Sequence, residues 1–171
     1  MRSIICTSSF LFMLISQPCT AGNIPNPEGW RLPTRSETSD EWRDKDSNRY
    51  LHVSADLNGD GVTDYARLLI NEKPSFKLTL FIFLSQQDRS FKTYRFAEKD
   101  DASYLENIGI ERVAPGRYKT ACGKGLECAK GEPKEVAIKY GGISYFKVES
   151  AMMYLYWDTT TKTFEKAWMR D

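Results

Sequence analysis

Residues 76–84 read FKLTLFIFL, alternating polar and apolar over the first positions and then running apolar without a break. A period of two predicts a strand with one covered face, and the unbroken apolar run predicts a central strand covered on both. The neighbouring stretches repeat the signal. YARLLI (65–70) reads as a second strand and YLHVS (50–54) as another, and Phe91, Thr93, Tyr94 and Phe96 mark a further one. Beyond the charged Glu98–Asp101, residues 100–107 read as a short helical turn with Tyr104 and Leu105 facing inward. Residues 108–113 and 117–122 flank Pro115-Gly116, a pair suited to reversing the chain. EVAIKY (135–140) alternates, and residues 151–157 and 163–169 bracket the polar connection Asp158–Lys162 as a hairpin. The expected fold is therefore mainly β: a single antiparallel β domain over residues 49–171, with one or two short helices. Residues 22–48, which hold Pro25, Pro27 and Pro33 without periodicity, are expected to run extended, pinned by Trp30 and Trp42.

The first 21 residues follow a different plan. Arg2 is a positive start, Ile4 to Ile15 form a short apolar core, and Cys19-Thr20-Ala21 ends on a small residue. That is the layout of a secretory signal peptide, cleaved after Ala21 or Gly22. An apolar core this short does not span a hydrocarbon layer of roughly 30 Å, so no membrane span is expected. Cleavage would remove one cation of 24 and none of the 23 anions, leaving 23 of each. A balanced charge disfavours a nucleic-acid binder. With 41% apolar and 13% aromatic residues there is ample material for a core, which disfavours disorder.

The most informative loop follows YLHVS. Asp56-Leu-Asn58-Gly-Asp60-Gly61-Val62-Thr-Asp64 places side-chain oxygens at positions 1, 3, 5 and 9 and the Val62 carbonyl at position 7. Gly61 stands where such a loop turns sharply. This spacing suits Ca2+, a hard cation that gathers six to eight oxygens, and Asp56, Asn58, Asp60, Val62 and Asp64 are its candidate ligands. Position 12 is Arg67 and not the bidentate Glu of an EF-hand, and the flanks are strand-like. The stretch ADLNGDGVTD (55–64) resembles the calcium loops of FG-GAP and VCBS-type repeats. The resemblance implies a local loop type that staples two antiparallel strands and not a whole propeller. A competing reading is a tight turn alone, since Asn-Gly and Asp-Gly are strong hairpin signals.

Of the four cysteines, Cys6 and Cys19 fall in the signal segment, so Cys122 and Cys128 remain and are expected to pair as a disulfide in an oxidising compartment. Their spacing is neither a zinc nor a Cys-x-x-Cys redox pattern. The ring reads first as a stapled hairpin or turn; the sharper reading is a rigid protruding loop that offers Lys124, Leu126 and Glu127 to a partner. The aromatic hairpin near the C-terminus should place Met152, Tyr154 and Tyr156 on one face and Met153, Leu155 and Trp157 on the other. If its second face is open, Tyr154 and Tyr156 are candidate partner or sugar contacts.

Catalytic signatures are missing. His52 is the single histidine, no nucleophile elbow or phosphate-cradling glycine loop occurs, and the paired acids lie in polar stretches. GWRLPT (29–34), YKTACGKG (118–125) and YWD (156–158) make the chain similar to a family of small uncharacterised periplasmic proteins of Gram-negative bacteria. The resemblance implies a periplasmic location (secretion outright being the alternative) and the calcium loop, and carries no activity. The expected function is a non-enzymatic binding protein, of the immunity or inhibitor kind that neutralises an envelope-attacking enzyme. A calcium-stabilised accessory or structural envelope protein is the second reading, and a carbohydrate-binding module or small hydrolase the third.

Overall fold

The computed structural model describes residues 24–38, 41–71 and 77–170. The signal segment, with Cys6 and Cys19, and Phe76 lie outside the described residues. Among the described residues there are eleven strands: β1 (Trp30–Arg31), β2 (His52–Ala55), β3 (Asp64–Asn71), β4 (Lys77–Ser85), β5 (Phe91–Lys99), β6 (Ile108–Val113), β7 (Gly116–Lys119), β8 (Glu135–Ile138), β9 (Gly142–Lys147), β10 (Met152–Asp158) and β11 (Thr163–Arg170). The helical elements among the described residues are three short 3-10 turns, at Arg35–Glu37, Ala102–Glu106 and Cys122–Lys124. Among the described residues the strands pair antiparallel throughout, as the alternating patterns require.

One sheet runs β1-β3-β4-β5, with β2 sharing the β3 edge beside β1. A second runs β11-β10-β9-β6, and β7 and β8 form a small third sheet. The apolar faces of the two large sheets meet in the main core. Leu68, Ile70, Leu78, Leu80 and Ile82 come from the first sheet, and Ile110, Ile143, Leu155 and Phe164 from the second. Full burial of each such side chain is worth about 1.5–3 kcal/mol. The sheets are joined where Ile110 N donates to Tyr50 O at 2.8 Å.

The unbroken apolar run in β4 has the expected cause, since its second face is covered too. Leu69, Phe81 and Phe83 pack there under Ile24 and Trp30, whose ring meets Phe81 edge-on at 4.9 Å. The N-terminal segment is thus a lid over the first sheet. Its course is held by Arg31, which donates twice to Glu37 at 2.8 and 2.7 Å. That guanidinium holds the Glu37 carboxyl down to about 2, helped by the Thr34 amide and hydroxyl.

The second tryptophan marks a different tie. Trp42 stacks on Tyr50 at 5.6 Å and donates from Nε1 to Glu106 O at 2.6 Å. Beside it Arg43 is fully buried. Its guanidinium lies 4.0 Å from the Trp42 ring and donates to Arg49 O, Leu105 O and Ile108 O. Nothing in the sequence pattern marks this arginine.

Two sequence expectations are corrected, and one strand was not read from the sequence. Residues 108–113 and 117–122 do not pair across Pro115-Gly116; β6 pairs with β9 and β7 with β8, so this turn passes the chain between sheets. Strand β9, flanked by β6 and β10 in the second sheet, has no counterpart among the strands read from the sequence. Tyr104 points outward, 44% exposed, while Leu105 and Ala102 are the buried residues of the turn.

Candidate functional site

The Asp56–Asp64 loop joins β2 to β3. Its side chains are turned onto its own amides. Asp56 Oδ1 accepts from Gly59 N at 2.6 Å and Oδ2 from Gly61 N at 3.0 Å. Asn58 Oδ1 accepts from Asp60 N, its Nδ2 donates to Asp60 Oδ2, and Asp60 Oδ1 accepts from Val62 N. Gly59 and Gly61 carry φ of 82° and 81°, a left-handed backbone that favours glycine. Gly59 is required for a second reason: a Cβ there would lie 2.1 Å from the Tyr140 ring. Gly141 N also donates to Asp56 O at 2.9 Å, so the loop is clamped from the β8–β9 connection.

Asp56, Asn58 and Asp60 are therefore brought together, with Val62 exposed beside them. Asp64 is used differently. It is fully buried, Oδ2 accepts from Leu57 N and Oδ1 from Ser85 N, both at 2.9 Å. It thus ties the loop to the last residue of β4. Burial pushes its carboxyl up to about 6, with the two amides opposing and Asp60 and Asp56 adding to the rise. Among the described residues no three Asp, Glu, His or Cys side chains converge into a ready metal-binding group. The donors are nonetheless all oxygens, and a carboxylate oxygen holding one amide keeps a lone pair for a cation. The donor set fits a hard ion bound through Asp56, Asn58, Asp60 and the Val62 carbonyl, with Asp64 entering only through its spare lone pairs.

The second feature is the long connection from β7 to β8. Cys122 and Cys128 are bonded, closing the predicted ring. Thr120 anchors both of its roots, donating from N to Lys134 O at 3.1 Å and from Oγ1 to Pro133 O at 2.7 Å. Ala121 N donates to Trp168 O at 2.8 Å, and Lys124 Nζ to Met169 O at 2.8 Å, fixing the loop to the edge of β11. Residues 124–131 are all exposed, Leu126 at 46%. Of the three candidates here, Leu126 and Glu127 project freely and Lys124 is tied back. Replacing both cysteines by serine should lower stability by about 2 kcal/mol on the chain-entropy account, read by denaturant unfolding. An unchanged midpoint would show that the backbone ties hold the loop alone.

The aromatic hairpin divides as its alternation predicts. Leu155, Met153 and Trp157 face the main core, and Met152, Tyr154 and Tyr156 face outward. That outer face is roofed by β7 and β8: Tyr118 meets Tyr154 edge-on at 5.3 Å, and Val136 packs against Ala167 and Met169. Tyr154 and Tyr156 are half-buried, so the hairpin does not offer an open aromatic face. Tyr156 does reach a shallow groove of about 500 Å3 that Arg117, Lys139, Asp158 and Thr160 also line. His52 is exposed on β2.

These elements define a mainly β protein with a disulfide-stapled protrusion. Among the described residues no helix is long and apolar enough to cross a membrane. No protein-family model, curated protein or solved structure matches the chain.

Proposed function

We propose that this is an exported, periplasmic, non-enzymatic protein that binds another protein, of the immunity or inhibitor kind directed at an envelope-attacking enzyme. The observation that carries the reading is the stapled loop: eight consecutive exposed residues, 124–131, held in one shape by a disulfide and by backbone ties at both roots. A segment fixed in advance loses little conformational freedom on docking, which is the usual economy of inhibitor loops. The disulfide is compatible with an oxidising compartment.

A second reading is favoured by the Asp56–Asp64 loop: an accessory envelope protein stabilised by Ca2+. Both properties can reside in one chain, since the ion loop and the protruding loop occupy different connections. The cation would hold the β2–β3 connection closed, with no reorienting helices to sense it.

Gentle affinity purification of the full chain from its own cells tests the binding function. The expected result is a stoichiometric protein partner that is lost when the 124–131 segment is replaced by a Gly/Ser stretch. Recovery of the chain alone, at native expression and without detergent, would overturn it.

A further inference from the structure

The two sulfurs of the staple stand in different surroundings. Cys122 is buried, 5% exposed, whereas Cys128 lies among the exposed residues 124–131. The half of the ring that holds Cys122 is tied to the body. Ala121 N donates to Trp168 O at 2.8 Å, Gly123 N to Thr120 Oγ1 at 3.1 Å and Lys124 Nζ to Met169 O at 2.8 Å. Leu126 N donates to Ala121 O at 3.1 Å, and a Cβ on Gly123 would lie 1.8 Å from Lys134 O, so the chain fits closely here.

Beyond Leu126 these ties stop. Ala129 and Glu132 bond to each other, Ala129 N to Glu132 Oε2 at 3.0 Å and Glu132 N to Ala129 O at 3.1 Å. Among the described residues, Glu127, Lys130 and Gly131 make no hydrogen bond or ion pair. Residues 127–132 are therefore joined to the body by the S–S bond and by their two chain ends. Neither cysteine belongs to the buried clusters that build the core, so the fold does not need the ring closed.

We propose that the Cys122–Cys128 bond is a reversible modification site, at which a low-molecular-weight thiol joins to Cys128 and releases Cys122. Exchange begins when a thiolate reaches one sulfur of the pair, and exposure decides which. Here the open sulfur is that of Cys128. The incoming thiolate forms an S–S bond to Cys128 Sγ, the bond to Cys122 breaks, and its electron pair leaves on Cys122 Sγ, which takes a proton. One disulfide is consumed and one is formed, so the step needs no outside oxidant or reductant. Cys122 then serves as the resolving thiol, because its half of the ring keeps its place. Once deprotonated it attacks Cys128 Sγ, expels the small thiol and closes the ring. The open form frees residues 127–132 while 120–126 keep their ties, so exchange switches the protrusion between a fixed and a loose shape.

The probe is reduced glutathione, added in excess to the folded full chain, with acid-quenched samples mapped by peptide mass. The expected mixed disulfide carries glutathione on Cys128 and a free thiol on Cys122, exceeding the reverse arrangement by about tenfold or more. Removing glutathione should restore the ring, whereas Cys122→Ser loaded with oxidised glutathione should keep its Cys128 adduct. In that adduct trypsin should cut after Lys130 about tenfold faster or more than in the closed ring, with cleavage after Lys124 on the tied half changed far less. Glutathione on Cys122 as often as on Cys128 would overturn the assignment of the attacked sulfur. Exchange seen only after unfolding in guanidinium would overturn the site. An unchanged cut after Lys130 would overturn the switch in shape. None of these readouts needs a partner, so the binding function stands or falls separately.

Discussion

Replacing Arg43 by methionine should cost about 3–5 kcal/mol of stability, since it orphans three carbonyl acceptors at about 1–3 kcal/mol each and methionine recovers part through packing. For a domain of this size that is a fall of roughly 10 °C or more in the melting midpoint. The guanidinium is fully buried, and its acceptors come from three places in the chain: Arg49, Leu105 and Ile108. It joins the segment before β2, the 3-10 turn and the first residue of β6. Burial pulls it down to about 10, so it remains charged at neutral pH. Arg43→Lys should recover little, because an ammonium is a point donor and cannot reproduce the planar fork over Trp42. Thermal melting decides. A loss below about 1 kcal/mol would mean that water takes over all three carbonyls.

How much of this was legible depends on what kind of signal a residue leaves. Strand β4 announced itself because both of its faces are covered, which erases alternation and leaves an apolar run. The faces of β10 followed from a period of two. Arg43 left no signal, because a buried cation among Trp42, Asp44 and Lys45 has the same local composition as a solvated turn. Its role exists only through carbonyls 62 and 65 residues away. Strand β9 went unread for a related reason. Gly141 and Gly142 look like a turn, yet they are glycines because of close approach: a Cβ on Gly141 would lie 2.9 Å from Asp56 O, and one on Gly142 3.2 Å from Leu155 O. Sequence shows that the side chain is small and not what presses against it.

The candidate site divides in the same way. The spacing of Asp56, Asn58, Asp60 and Gly61 is local, so the loop could be picked out from ten residues. What holds it in place is not local. Tyr140 over Gly59 and Ser85 against Asp64 come from positions 81 and 21 residues distant. The disulfide was legible because six positions in a chain with two remaining cysteines leave one pairing. The roof over Tyr154 and Tyr156 was not, since the small β7–β8 sheet carries its own alternation and gives no hint of what it covers.

Asp64→Ala should cost about 2–4 kcal/mol in the presence of chelator, because it strands the buried amides of Leu57 and Ser85. That loss is independent of any ion, so the same residue can separate the two roles of the loop. The Asp64 carboxyl is raised from 3.8 to about 6, chiefly by burial. Between those values the folded protein holds a proton that the unfolded chain has released. Without calcium, the Asp64 contribution to stability is therefore full below about pH 4, declines as pH rises toward 6, and is flat above. Asp64→Asn carries no proton and should flatten that decline. Calcium reverses the order, since it needs the carboxylate and competes with the proton. Millimolar calcium should then raise the melting midpoint more at pH 7 than at pH 5, because a ligand that binds only the folded state adds its binding free energy to stability. Asp60→Ala should abolish the calcium rise at either pH. If Asp64→Asn keeps the full rise at pH 7, Asp64 is a structural tie and the ligands are Asp56, Asn58, Asp60 and the Val62 carbonyl. If the unaltered protein melts at the same temperature with calcium and with chelator at pH 7, the loop is a hydrogen-bonded turn, and its carboxylates serve the amides they already hold.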